Sequence, residues 1–195
     1  MLLALDSADP PAEHDGMYPR GALLAANYSV PILWLSLFDT DGLVIWPGIN
    51  GPAFTAVVQP RSECIERSCA RLGVWSRQWP DVFGDMSEPW LGYLGAVENA
   101  YLAVWAVEMS GVTGDEEWAV NLRAYLGSLD DPGSAGFCEA LAQSYLSSSG
   151  NGLEPFGTVG LATAGYTWAR QAPWEGAGHP YWQRPTCPGC PICAR

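Results

Sequence analysis

Lysine is absent from this sequence of 195 residues. All nine basic residues are arginine, and 21 acidic residues bring the formal net charge to −12. We attribute the missing lysine to the coding bias of a GC-rich genome. Residues 78–169 hold twelve acids and only Arg123. Such a negative field repels nucleic acid and anionic membranes and attracts basic partners, although acidity that serves solubility alone would give the same composition.

Histidine, the usual base that activates a nucleophile, is scarce. The chain has two histidines, His14 and His179, each in a segment rich in proline, glycine or acidic residues. A nucleophile needs a base beside it, and no serine stands in a Gly-x-Ser-x-Gly elbow. A glycine motif that would cradle phosphate is missing as well. We therefore expect no enzyme and interpret both histidines as solvated loop residues.

Long hydrophobic runs and a targeting signal are also missing. The N-terminal stretch 1–11 has no basic region and too short an apolar run for a signal peptide. The apolar run Val30–Phe38 is too short to cross a bilayer. These features predict a cytoplasmic protein that does not bind membranes. In that compartment the six cysteines are expected to be thiols or metal ligands instead of disulfides.

The longest strongly apolar segment, residues 90–109, organises the predicted fold. Large apolar residues recur in it every three or four positions, which is the period of one helix face. They are Trp90, Leu94, Val97, Tyr101 and Trp105. The remaining positions are mostly apolar too, and a helix that is apolar on all sides is usually buried. We therefore predict a central buried helix over about 90–109.

Shorter patterns predict the other elements. The predicted strands are residues 1–5, 43–46 and 54–58, and predicted helices begin near residues 31, 61, 114 and 132. Together they indicate an α+β fold, with a helix-dominated single domain over residues 1–170 and a small β-sheet around the central helix. Residues 171–195 are rich in proline, glycine, tryptophan and cysteine and predict an irregular C-terminal tail.

Cysteine spacing gives the sharpest local motif. Cys187, Cys190 and Cys193 follow at intervals of three, so that a turn brings their thiolates to one side, where they can chelate a metal ion. With His179 as a fourth ligand the set would hold zinc, and three cysteines also suit an iron–sulfur cluster. A zinc ribbon needs a second cysteine pair, which the sequence lacks. A free tail is therefore the competing interpretation.

Acidic residues gather in predicted loops and at helix starts. If these ends lie together, their carboxylates form one anionic face that would steer and hold a basic protein. Tryptophan side chains would supply the anchors that interfaces prefer, although the core needs them equally. For residues 115–117, stabilisation by the helix dipole is a sufficient alternative explanation. The candidate partner-binding residues are Asp81, Asp85, Glu88, Asp115, Glu116, Glu117, Asp130, Asp131 and Trp118.

One acid, Glu98, interrupts the apolar segment 90–109. If it is buried, it needs a partner such as Arg123 or an arginine of residues 61–77. In a tryptophan-lined pocket, Glu98 or His179 could act in catalysis, and the chain would be a small enzyme of unknown reaction. A structural ion pair or a solvent-facing polar edge is the more common explanation of such an acid.

The first third of the chain resembles a family of small bacterial proteins. These proteins begin with a short strand and a loop and continue into a Tyr-x-x-Pro-apolar helix start, matched here by Leu2–Ser7 and Asn27–Leu33. Phe54–Trp75, predicted as a strand and an amphipathic helix, continues the likeness. The organisation is also similar to that of immunity proteins, cytoplasmic antidotes encoded beside toxins of bacterial competition systems.

This resemblance implies that the chain binds and occludes a cognate, basic toxin and has no cofactor or chemistry of its own. The first alternative is the enzyme with a tryptophan-lined pocket. The second is a metal-dependent regulatory module, with zinc held by the C-terminal cysteines.

Overall fold

The computed structural model describes residues 1–11, 14–15, 18–19, 21–26, 30–48, 52–107 and 114–149. Its strands are β1 (Leu2–Leu5), β2 (His14–Asp15), β3 (Tyr18–Pro19), β4 (Ala22–Leu24), β5 (Leu43–Trp46), β6 (Phe54–Pro60) and β7 (Tyr101–Val104). Its helices are α1 (Ile32–Leu35), α2 (Arg61–Gln78), α3 (Pro80–Phe83), α4 (Ser87–Gly95), α5 (Asp115–Ser128) and α6 (Ala135–Ser149). The predicted boundary at residue 170 and the tail 171–195 lie outside the described residues.

Five strands form one antiparallel sheet in the order β4-β1-β7-β6-β5. In the middle of this sheet Leu3 lies opposite Ala103, and Val57 lies opposite Val104. The strands β2 and β3 pair separately as a hairpin. An antiparallel sheet combined with helices that precede and follow its strands in the chain confirms the predicted α+β class.

The predicted central helix over 90–109 is wrong. The segment begins inside α4, which ends at Gly95, and after a turn the chain continues as β7, the middle strand of the sheet. A strand buried on both faces is a continuous apolar run, and so is a helix buried on all sides. Periodicity alone therefore could not distinguish the two over residues 101–105.

The helix that occupies the centre of the fold is α2. It packs against α3, α4, β6 and β7. The indole of Trp75 lies 5.2 Å from the ring of Phe83 and 5.0 Å from that of Phe137, measured between ring centroids. The Trp75 Nε1–H also donates to the Leu129 carbonyl over 3.0 Å. The buried face of α2 includes Ser68 and Arg71. Because of these polar residues, the sequence of α2 is less apolar than segment 90–109, which was therefore predicted as the central helix.

Successive strand residues face opposite sides of the sheet. On one side Leu2, Val57 and Leu102 join a core to which all six described helices contribute. On the other side, which we call the second face, Leu3 and Ala56 belong to a separate cluster of strand residues. Among the described residues, no helix is long and apolar enough to cross a membrane.

Candidate functional site

The loop between α5 and α6 is fixed against the junction of α2 and α3. The Trp79 Nε1–H donates to the Pro132 carbonyl over 3.1 Å, next to the contact between Trp75 and Leu129. Trp79 also lies within 6.4 Å of the Phe137 ring. These contacts bring Asp130 and Asp131 to the part of the molecule where α3 begins.

A buried arginine, Arg71, holds Asp130 in place. Only 4% of the Arg71 side chain is exposed, and its Nε and Nη2 donate to the two carboxylate oxygens of Asp130 over 2.8 and 3.3 Å. Its Nη1 donates to the carbonyls of Phe38 and Ser36 over 2.5 and 3.2 Å. The hydrogen bond from Arg71 is the main reason that the pKa of Asp130 lies below its usual value.

Three further acids, Asp81, Asp85 and Glu88, lie in α3, in the turn after it and at the start of α4. Asp81 lies in the first turn of α3, and Glu88 lies in the first turn of α4. The hydroxyl of Ser87 holds the turn between these helices, since it donates to the Phe83 carbonyl over 2.9 Å and lies 2.7 Å from the hydroxyl of Ser76 on α2. The five exposed carboxylates of this region, which we call the acidic end, are Asp81, Asp85, Glu88, Asp130 and Asp131.

The acids at the start of α5 lie elsewhere. Helix α5 has 14 residues, which at about 1.5 Å per residue separates Asp115 from the acidic end by roughly 20 Å. Glu116 and Glu117 are exposed there. The predicted single anionic face is therefore divided between the two ends of α5.

Asp115 and Trp118 of α5 form hydrogen bonds to Thr55 of β6. The Asp115 carboxylate accepts the backbone N–H of Thr55 over 2.6 Å and the Thr55 hydroxyl over 3.2 Å. The Trp118 Nε1–H donates to the Thr55 carbonyl over 3.2 Å. Thr55 lies opposite Ile45 of β5 in the sheet, and both its backbone N–H and its carbonyl are bonded by side chains of α5. With only 2% of its surface exposed, Trp118 belongs to the core and presents no surface to a partner.

Glu98 lies in the turn between α4 and β7 and is exposed. Glu98 is therefore a polar residue at a solvent-facing edge, which is one of the interpretations that the sequence allowed. It is not a buried acid in a pocket. Two of the four arginines of residues 61–77 that were considered as its partners bind elsewhere, since Arg67 pairs with Asp39 and Arg71 with Asp130.

Sequence reasoning missed the roles of Arg67 and Arg71. Arg67 Nη1 donates to the Leu37 carbonyl over 2.9 Å, so that both arginines bind backbone carbonyls in the segment that follows α1. The signal that could have revealed Arg71 is its position in the helical stripe that also contains Ser68 and Trp75. An arginine in such a stripe is either buried with partners or breaks the stripe.

The proposed metal ligands Cys187, Cys190, Cys193 and His179 lie outside the described residues. Within the part of the chain that the structure describes, no group of three or more histidine, cysteine or acidic residues could hold a metal ion. Cys64 is buried, and burial raises its thiol pKa to about 12. A protonated thiol at neutral pH is a poor metal ligand and a poor nucleophile.

No family model, curated protein or solved structure matches this chain. The likeness to immunity proteins stays an expectation from sequence, and the acidic end is the surface from which a function can be argued.

Proposed function

We propose that this protein is an immunity-type inhibitor that binds and occludes a basic toxin through its acidic end. The observation that carries the proposal is that five exposed carboxylates lie in two neighbouring segments, the loop after α5 and the turns around α3, which the hydrogen bond from Trp79 to Pro132 holds together. Among the described residues, two arginines lie on the adjoining half of α2: Arg71, which is buried and paired with Asp130, and Arg77, which is exposed in the last turn. Within the described part of the chain, the acidic end therefore keeps an excess of negative charge.

A surface of this kind suits a partner rich in lysine and arginine. Complementary charge speeds the encounter and aligns the partners, and its effect weakens as salt screens exposed charges. A basic toxin that acts on an anionic substrate would present the same positive surface to its substrate and to the inhibitor. Occlusion of that surface needs no chemistry from the inhibitor.

The rigidity of the acidic end favours binding as well. Asp130 is held by Arg71, the loop that carries Asp131 is held by Trp79, and the turn that carries Asp85 is held by Ser87. Carboxylates that are already in place lose little conformational freedom when a partner docks. The acidic end thus combines charge with preorganisation.

The test measures binding of the full-length protein to the product of the adjacent gene at low and at high salt. We compare the double variant Asp81→Asn/Asp85→Asn with Glu116→Gln/Glu117→Gln, which removes the same charge from the opposite end of α5. If the acidic end binds the partner, the first variant weakens the complex about tenfold or more and flattens its salt dependence. The second variant changes the affinity less than about threefold.

Two outcomes would contradict the proposal. If both variants weaken binding equally, the overall charge of the protein and not the acidic end attracts the partner. If no complex forms at either salt concentration, the immunity function itself is rejected.

A further inference from the structure

The strand β5 lies at one edge of the sheet, and among the described strands it has β6 as its neighbour on one side only. Its residue Ile45 keeps 65% of its surface exposed, the highest value for a large apolar residue in the described part of the chain. A single exposed isoleucine is ordinary on a protein surface. At the edge of a sheet, however, it lies beside backbone groups that can pair with another strand.

The backbone groups of Ile45 point away from β6. Opposite residues of an antiparallel pair either exchange two hydrogen bonds or exchange none. Ile45 lies opposite Thr55, and the N–H and the carbonyl of Thr55 are bonded by Asp115 and Trp118 instead. The N–H and the carbonyl of Ile45 therefore face outward, and neither has a hydrogen-bond partner among the described residues.

We propose that the outer edge of β5 binds an extended, basic segment of a partner protein, which adds to the sheet as a further strand. The main chain of such a segment pairs with the edge, and one of its side chains covers Ile45. The edge is short, because the Leu43 N–H already donates to the Thr40 carbonyl and Pro47 has no N–H. Ile45 supplies one donor and one acceptor, and the Leu43 carbonyl supplies a second acceptor.

Carboxylates lie at both ends of this edge. Asp41, two residues before β5, is exposed at one end. At the other end Glu116 and Glu117 are exposed next to Asp115, whose carboxylate lies 2.6 Å from the Thr55 nitrogen. Opposite Cα atoms in a pair without hydrogen bonds are about 4.5 Å apart, so these acids lie within about one screening length of the edge at physiological salt.

The described arginines of this region leave the charge in excess. Arg67 is paired with Asp39, and Arg123 lies seven residues beyond Glu116, about 10 Å along α5. A segment with an apolar centre and with arginine or lysine towards both ends is therefore the complement of the edge.

A second copy of this chain fits the edge less well. Two-fold pairing centred on Ile45 would place Leu43 opposite Pro47 of the other copy, which has no N–H to donate. It would also bring Asp41 and Glu116 of the two copies close together, and like charges repel. Both features favour a basic segment of another protein as the occupant.

Amide hydrogen exchange in the full-length protein tests the pairing directly. The probe is a synthetic peptide of about nine residues with valine at its centre and arginine towards both ends, and the control peptide has glutamate in place of arginine. At saturating arginine peptide, exchange of the Ile45 amide should slow about tenfold or more, because its N–H becomes paired. Exchange at Val44, which already pairs with Ala56, should change less than about threefold.

Variants separate the backbone contribution from the charge. Ile45→Pro removes the outward N–H and the apolar side chain at an edge position that tolerates proline, and it should weaken peptide binding about tenfold. Glu116→Gln/Glu117→Gln should weaken binding about fivefold and reduce its salt dependence. The matched control Asp81→Asn/Asp85→Asn removes the same charge from the acidic end and should change binding less than about twofold.

Unchanged exchange of the Ile45 amide at saturating peptide would overturn the proposal, whatever the variants do. Equal binding of the two peptides, or no binding of the arginine peptide at about 1 mM, would overturn it as well. Exchange at Ile45 that slows with protein concentration alone would assign the edge to a second copy instead. The product of the adjacent gene takes no part in this assay, so the proposed function of the acidic end can fail or hold independently.

Discussion

Replacement of Arg71 by methionine tests the contact on which the position of Asp130 depends. Methionine keeps much of the apolar stem of the arginine and removes the guanidinium, so that the core loses little volume. The Leu35 carbonyl keeps the Phe38 N–H as a donor, over 3.1 Å. Within the described part of the chain, the carbonyls of Ser36 and Phe38 lose the donor that Arg71 supplied.

The expected cost follows from these two carbonyls. A buried polar group left without its hydrogen bond costs about 1–3 kcal/mol. Two such groups would cost about 2–6 kcal/mol, and the desolvation that the buried guanidinium no longer requires lowers this to an expected loss of about 2–4 kcal/mol in the free energy of unfolding. Asp130 adds little, because its side chain is largely exposed and stays solvated without Arg71. This is a large share of the roughly 5–15 kcal/mol of a typical domain.

Urea unfolding followed by tryptophan fluorescence measures this loss. The control is Arg77→Met, on the same helix, because the exposed Arg77 should change the stability by less than about 0.5 kcal/mol. A loss below about 1 kcal/mol for Arg71→Met, with an unchanged slope in urea, would refute the argument that this side chain satisfies buried carbonyls.

Three further predictions concern single side chains. The variant Asp115→Ala should lose about 1.5–3 kcal/mol more than Glu117→Ala in urea unfolding, because only the first carboxylate accepts a backbone N–H of β6; equal losses would contradict that role. The pKa of Asp130 is lowered in the folded state, so its stabilising effect is complete above the unfolded value of 3.8 and disappears as the pH falls through the lower folded value. The stability difference between wild type and Asp130→Asn should therefore be larger near pH 7 than at about pH 2, and a difference that grows on acidification would reverse the assigned sign. Burial raises the pKa of Cys64 to about 12, so alkylation near pH 8 followed by peptide mapping should label the exposed Cys69 and leave Cys64 unmodified; comparable labelling of both would show that Cys64 is accessible.

Much of the fold could be predicted from local patterns. The strands β1, β5 and β6 and the helix α2 lie where alternation, helical period and proline positions placed them. These signals act between neighbours in sequence, because a side chain's direction repeats with the period of its own element. The α+β class follows from the presence of both kinds of element, and the structure adds that all the strands pair antiparallel.

The exposed acids were also predictable, because carboxylates rarely lie buried without a partner. Which of these acids lie near one another in the fold could not be predicted. Whether Asp115 and Asp130 share a surface depends on the length of α5 and on the contacts that hold its two ends, one with β6 and the other with α2. One carboxylate completes a strand and the other pairs with a buried arginine, and both partners are more than 55 residues away in sequence.

By itself, the sequence determined the class of the fold, the strongly acidic surface and the positions of most local elements, since each depends on residue type and short-range period. Only the tertiary structure decided that residues 101–104 are the middle strand and that Trp118 is core. An apolar run does not indicate by itself whether it is buried as a helix or as a strand. From residue 101 onward the chain is a strand because its backbone pairs with both β1 and β6.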